Sequence, residues 1–129
     1  MAKNSQPRPT DAELEILGVL WEHGPTTVRE VHDRLNRVKP AGYTTVLKLM
    51  QIMAEKGLVR RNEDQRAHVY SAVAPREKTQ RQLVGDLLDR AFAGSASQLV
   101  MQALATKRAT AAELAQIRDM LDEFERGAQ

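Results

Sequence analysis

Thr44, Thr45, Lys48 and Gln51 form the most chemically suggestive group in this 129-residue chain. At helical spacing they share one polar face, opposite Val46, Leu49, Met50 and Met53. A threonine hydroxyl can bond a phosphate or a base edge, and its methyl can touch a thymine methyl. Lysine can donate to guanine or phosphate, and glutamine can pair with adenine. Tyr43 opens the same stretch, and Arg60, Arg61 and Arg66 follow it, so that with Lys48 they are expected on one basic side. This chemistry suits a polyanionic partner. The competing reading is a solvated helix face on a small structural domain.

Catalysis finds no comparable group. The chain has no cysteine, which removes disulfides, thiolate metal sites and thiol nucleophiles together. Imidazole comes only from His23, His32 and His68. On a helix, His32 has Val28 and Asn36 four residues away, so it forms no ligand pair. His68 alternates with Tyr70 on a strand, where a structural or phosphate-contacting role is expected. There is no G-x-S-x-G, P-loop or G-x-G-x-x-G pattern. The chain is read as a non-enzyme with no catalytic residue, metal or cofactor.

The elements that must position the polar face follow from capping and periodicity. Residues 1–9, with Pro7 and Pro9, read as an unstructured leader. Thr10 and Glu13 form a capping box for a first helix with Leu14, Leu17, Leu20 and Trp21 on its apolar face, stopped at Gly24-Pro25. Thr27 and Glu30 predict a second box and a helix burying Val28, Val31 and Leu35. The breakers Lys39-Pro40-Ala41-Gly42 then separate it from a third helix, about Tyr43 to Lys56, which ends at Gly57. Leu58 to Val73 alternates around a polar turn and predicts a two-stranded hairpin.

Beyond Pro75 the pattern is helical throughout. Leu83, Val84, Leu87, Leu88, Ala91 and Phe92 form one stripe. Ser95 and Gln98 make a capping box, as do Thr110 and Glu113 before Leu114, Ile117, Leu121 and Phe124. Helices of this size cannot bury these stripes against each other alone, so a second copy of the chain is the expected partner. Core or dimer interface is a commoner use of such stripes than an effector pocket.

The fold class is therefore mainly α (α+β): an N-terminal winged helix-turn-helix domain over 1–75 and a three-helix dimerisation region over 76–129. In that arrangement the third helix lies in the major groove and the hairpin rests on a neighbouring phosphate or the minor groove. The expected DNA-binding residues are Tyr43, Thr44, Thr45, Lys48, Gln51, Arg60 and Arg66. The expected dimerisation set is Leu83, Leu87, Leu114, Ile117, Leu121 and Phe124.

Composition sets bounds on this reading. The chain is 42% hydrophobic and 28% charged, with a net charge of +2. Arg29 to Arg66 carries nine basic and five acidic residues, whereas Asp11 to Glu22 carries four acidic and none basic. No apolar run is long enough to span a bilayer, and the first residues lack the apolar core of a signal peptide, so a cytoplasmic protein without membrane insertion is expected.

Several segments together resemble the penicillinase-repressor (BlaI/MecI/CopY) family. They are Thr10-Asp11-Ala12-Glu13-Leu14-Glu15-Ile16-Leu17, Leu20-Trp21, Thr27-Val28-Arg29-Glu30-Val31, Tyr43-Thr44-Thr45-Val46, Glu55-Lys56-Gly57-Leu58-Val59 and Arg66-Ala67-His68-Val69-Tyr70. The resemblance runs from about residue 8 to residue 125. It implies a homodimeric transcriptional repressor of a palindromic double-stranded operator, in many members paired with a membrane sensor peptidase that triggers cleavage in the C-terminal part. The copper-responsive branch carries a cysteine cluster that this chain lacks. Where the antibiotic-resistance branch is cleaved at Asn-Phe, this chain reads Val100-Met101-Gln102-Ala103-Leu104, and the expected region of cleavage is Ser97 to Thr106. Ile52 stands where many relatives have an arginine.

Two other readings use the same residues. A small-molecule-responsive winged-helix regulator would need an apolar pocket lined by Trp21 or Phe92. A winged-helix interaction module that binds no DNA would have no use for the basic residues around Lys48.

Overall fold

The computed structural model describes residues 8–64 and 66–128. Most of the expected leader, residues 1–7, lies outside them, but Pro9 is buried, so packing includes a residue ahead of the first cap. Helix α1 spans Asp11–His23. The Thr10 hydroxyl accepts from the Glu13 N–H at 3.2 Å, and Glu13 Oε1 accepts from the Thr10 N–H at 2.9 Å, which completes the capping box. Gly24, at φ 83° and ψ −171°, takes a backbone conformation open to glycine that turns the chain out of the helix.

Strand β1, Thr26–Thr27, leads straight into α2, Val28–Asn36. Here only the hydroxyl half of the expected box forms: Thr27 accepts from the Glu30 N–H, while the Glu30 carboxylate turns to Arg34, 2.7 Å from its Nε. Helix α3 spans Tyr43–Lys56 and closes on Gly57 at φ 84°. Strands β2, Val59–Asn62, and β3, Val69–Ala72, form the expected hairpin. The sheet nevertheless has three strands, in the order β1-β3-β2, because Thr26 and Thr27 pair antiparallel with Tyr70 and Val69. A two-residue strand carries no readable period, and only the packing of α1 and α2 brings it beside β3.

The chain divides into two compact units, at Val84 and Gly85. The core of the first is Ile16, Leu17 and Leu20 of α1, Val28 and Val31 of α2, and Val46, Met50 and Met53 of α3, closed by Leu58, Val59 and Tyr70. Burying each large apolar side chain contributes about 1.5–3 kcal/mol. Leu14 and Trp21, expected on the inner face of α1, sit at the core's edge, and Ile16 and Glu13 take the buried positions. Trp21 Nε1 donates to the Ala74 carbonyl at 3.0 Å. Helix α4, Arg76–Ala91, begins in this unit: Thr79 is buried, and the Arg76 guanidinium lies over the Trp21 ring.

The second unit holds the rest of α4 with α5, Ala96–Thr106, and α6, Ala111–Gly127. Thr110 and Glu113 form a complete capping box, whereas Ser95 makes only the hydroxyl bond to the Gln98 N–H. No described residue of α5 or α6 is buried. Met101, Leu121 and Phe124 are 67%, 56% and 66% exposed, and Leu87 is also exposed. Leu114 and Ile117 are half-buried, as is Leu83 on the first part of α4. Among the described residues no helix is long and apolar enough to cross a membrane.

Candidate nucleic-acid interface

Helix α3 separates its residues cleanly. Val46, Met50 and Met53 are buried, and Thr44, Thr45, Lys48 and Gln51 are exposed on the other side. The 3.6-residue period with Gly57 as terminator produces this division, so the four polar side chains stand together on a rigid element. Gly42 is the N-cap and makes no side-chain cap bond. The open N–H groups of the first turn and the positive end of the helix dipole therefore favour an anion beside Tyr43 and Thr44.

Tyr43 is held on two sides. The Arg29 guanidinium carbon lies 5.4 Å from the centre of its ring, and the His32 ring meets it edge-on at 5.7 Å, with 76° between the planes. His32 is thus half-buried in a structural setting. Asn36 of α2 reaches the turn before α3, where its Oδ1 accepts from the Ala41 N–H at 2.9 Å.

A concavity of about 430 Å³ joins this face to the wing, with Arg29, Tyr43, Gln51, Arg61, Arg66 and His68 among its lining residues. Arg29 of α2, Arg61 of β2 and Arg66 of the hairpin turn thus flank one side of α3, a concentrated positive field for phosphates. Arg61 pairs with Glu63, and hydrogen bonding to Tyr70 and to Glu63 raises its guanidinium above the ordinary arginine range.

Arg60 stands elsewhere. Successive side chains of a strand point to opposite faces. Arg61 pairs across the sheet with the buried Tyr70, and Arg60 with Ser71. The single basic side expected for Arg60, Arg61, Arg66 and Lys48 is therefore split: Arg61 and Arg66 line the concavity, and Arg60 projects from the other face of the wing. Arg29 was absent from the expected set. Its signal was available, since Val28 and Val31 turn inward and leave Arg29 outward in the first turn of α2.

No group of three His, Cys, Asp or Glu residues that could hold a metal ion occurs among the described residues.

Comparison with known proteins gives four findings. A family model described as "Penicillinase repressor" matches residues 9–123. The chain is 34% identical over 118 residues to "Transcriptional regulator BlaI" of Mycobacterium tuberculosis, covering 91% of this chain and 85% of that protein. It is 22% identical over 117 residues to "Penicillinase repressor" of Bacillus licheniformis, covering 91% of each. Among solved structures, the Bacillus licheniformis BlaI monomeric form in complex with the blaP half-operator matches with a TM-score of 0.50 and 25% identity. That match covers 57% of this chain and 89% of that one.

Proposed function

The chain belongs to the penicillinase repressor family, and from that premise we propose that this DNA-binding transcriptional repressor acts as a homodimer on a palindromic operator. The residues that meet DNA are Tyr43, Thr44, Thr45, Lys48 and Gln51 of α3, with Arg66 of the wing; we add Arg29 and Arg61, and Arg60, on the wing's other face, contributes less. The observation that carries the reading is the exposed polar face of α3 with Arg29, Arg61 and Arg66 around it. Its threonines, lysine and glutamine can read base edges in the major groove, while the surrounding arginines neutralise phosphates. Residues 1–75 form the DNA-binding part, with the first turns of α4 packed onto it.

Residues 76–129 supply the dimer contact through Leu83, Leu87, Leu114, Ile117, Leu121 and Phe124. What supports this is the apolar surface of α5 and α6, much of it uncovered in one chain. We place the repressor in the cytoplasm, with a membrane sensor peptidase as the partner that leads to its release. Cleavage anywhere in 97–106 would cut α5 and separate the Leu114 to Phe124 stripe from the DNA-binding part, so the dimer and its hold on DNA would weaken together. An extended residue, Lys107, follows α5 directly and is the more open backbone for a protease.

The test begins with selection of a duplex by the full-length protein from a random pool. The selected sequence is expected to be an inverted repeat. Lys48→Ala and Thr45→Ala are each expected to weaken binding to it by about 1–3 kcal/mol with the thermal midpoint unchanged. Recovery of no preferred sequence would refute operator recognition.

A further inference from the structure

The turn before α3 is held by two side chains of α2 at Ala41, beyond the backbone bonds of Val38 and Lys39 to the Leu35 carbonyl. The Ala41 N–H donates to Asn36 Oδ1 at 2.9 Å, and the Ala41 carbonyl lies 2.8 Å from His32 Nε2. A carbonyl only accepts, so Nε2 carries the proton and the imidazole is the donor. His32 and Asn36 stand four residues apart on one face of α2. The same His32 ring packs edge-on against Tyr43, the first residue of α3. The turn itself contains Pro40 and Gly42, and Gly42 offers no side chain to cap the helix. Core packing of Val46, Met50 and Met53 seats the body of α3, and α2 holds the start of the helix through one backbone residue and one ring.

We propose that His32 and Asn36 are positioning residues for DNA recognition: by holding Ala41, and in the case of His32 also Tyr43, they fix the angle at which α3 enters the groove. This rests on the reading that the polar face of α3 meets the bases. Base-edge hydrogen bonds are short and directional, whereas charge contacts to phosphates tolerate displacement. Releasing the turn should therefore cost sequence preference before it costs affinity for DNA in general. A role confined to folding would lower both in proportion to the folded fraction.

The experiment compares full-length His32→Ala, Asn36→Ala, the double variant and His32→Gln on two duplexes: one selected by the unaltered protein and one scrambled at equal length. Each alanine variant is expected to bind the selected duplex about tenfold more weakly, the equivalent of roughly one base contact. Binding to the scrambled duplex should change by less than about twofold. The double variant should lose little more than either single, because both side chains hold the same residue. His32→Gln keeps an N–H donor at similar reach and should recover most of the loss. Should His32→Ala fail to fold, Asn36→Ala, at an exposed position, and His32→Gln decide the matter.

Folded alanine variants with an unchanged ratio of selected to scrambled affinity would overturn the proposal. Lys48→Ala serves as the control. If it weakens selective binding while the clamp variants do not, only the clamp is rejected. If Lys48→Ala also binds normally, the reading of α3 falls and the clamp falls with it.

Discussion

Glu13 and Lys56, 43 residues apart, meet with the lysine Nζ 2.9 Å from both carboxylate oxygens. Glu13 is only 2% exposed and caps α1, and Lys56 is the last residue of α3. One buried carboxylate thus ties the start of the first helix to the end of the helix that carries the exposed polar face proposed to meet DNA. Burial alone pushes the Glu13 carboxyl up, but the Lys56 ammonium and the Thr10 N–H outweigh it, and the carboxyl sits below its ordinary range.

The first prediction follows from that pair. Glu13→Ala removes both a cap and the buried member of an ion pair whose lysine reaches solvent, and should destabilise the fold by about 2–4 kcal/mol in urea titration. Because the folded pKa is depressed, the stabilisation is complete above the unfolded pKa of about 4.3 and is lost as pH falls through the folded value. Glu13→Gln should therefore show a flatter loss of stability than the unaltered protein on acidification below about pH 5. Parallel acid profiles for the two would contradict this account of the pair.

Arg60 and Arg61 should behave differently despite adjacency. Arg61 lines the concavity beside α3, and Arg60 lies on the opposite face of β2. Arg61→Ala is expected to lower DNA affinity more than Arg60→Ala and to reduce the salt slope by about one. Filter-binding titrations at several salt concentrations measure both quantities, and the reverse ranking would place the other face of the wing against DNA.

Much of this arrangement was legible in the sequence, where local signals were strong. Periodicity and Gly57 mark α3 from Tyr43 to Lys56, as found, and Thr10 with Glu13 marks the start of α1. The second role of Glu13 was not legible, because its partner is far away in the chain. The side of Arg60 was obscured for a local reason. Leu58 and Val59 are both buried, so the alternation that would distinguish Arg60 from Arg61 is lost at the strand's entry. Strand β1 is two threonines whose pairing depends on where β3 lies. The outward side of Arg29 was readable from Val28 and Val31, but its place over Tyr43 arises only when α2 packs on α3.

The dimer prediction uses the two most exposed members of the expected contact set. Leu121→Lys with Phe124→Lys, both exposed in the single chain, should leave the first unit folded and convert the protein to a monomer in sedimentation. Single truncations of the set to alanine should cost roughly 2–5 kcal/mol of dimer stability wherever the cavity stays open. Affinity for a full inverted repeat should fall towards that for a half-site, which the double variant should bind as the unaltered protein does. A double variant that remains dimeric would place the contact elsewhere.

The most direct measurement of the central claim, that α3 and its surrounding arginines recognise an operator, is a salt titration of the full-length protein on its selected inverted repeat and on a scrambled duplex. The account predicts a specific affinity at least about a thousandfold above the non-specific one at physiological salt. It also predicts a logarithmic salt slope of several units on the specific duplex, each phosphate neutralised contributing about 0.9. Equal affinity for the two duplexes, or a specific affinity that does not change with salt, would contradict it.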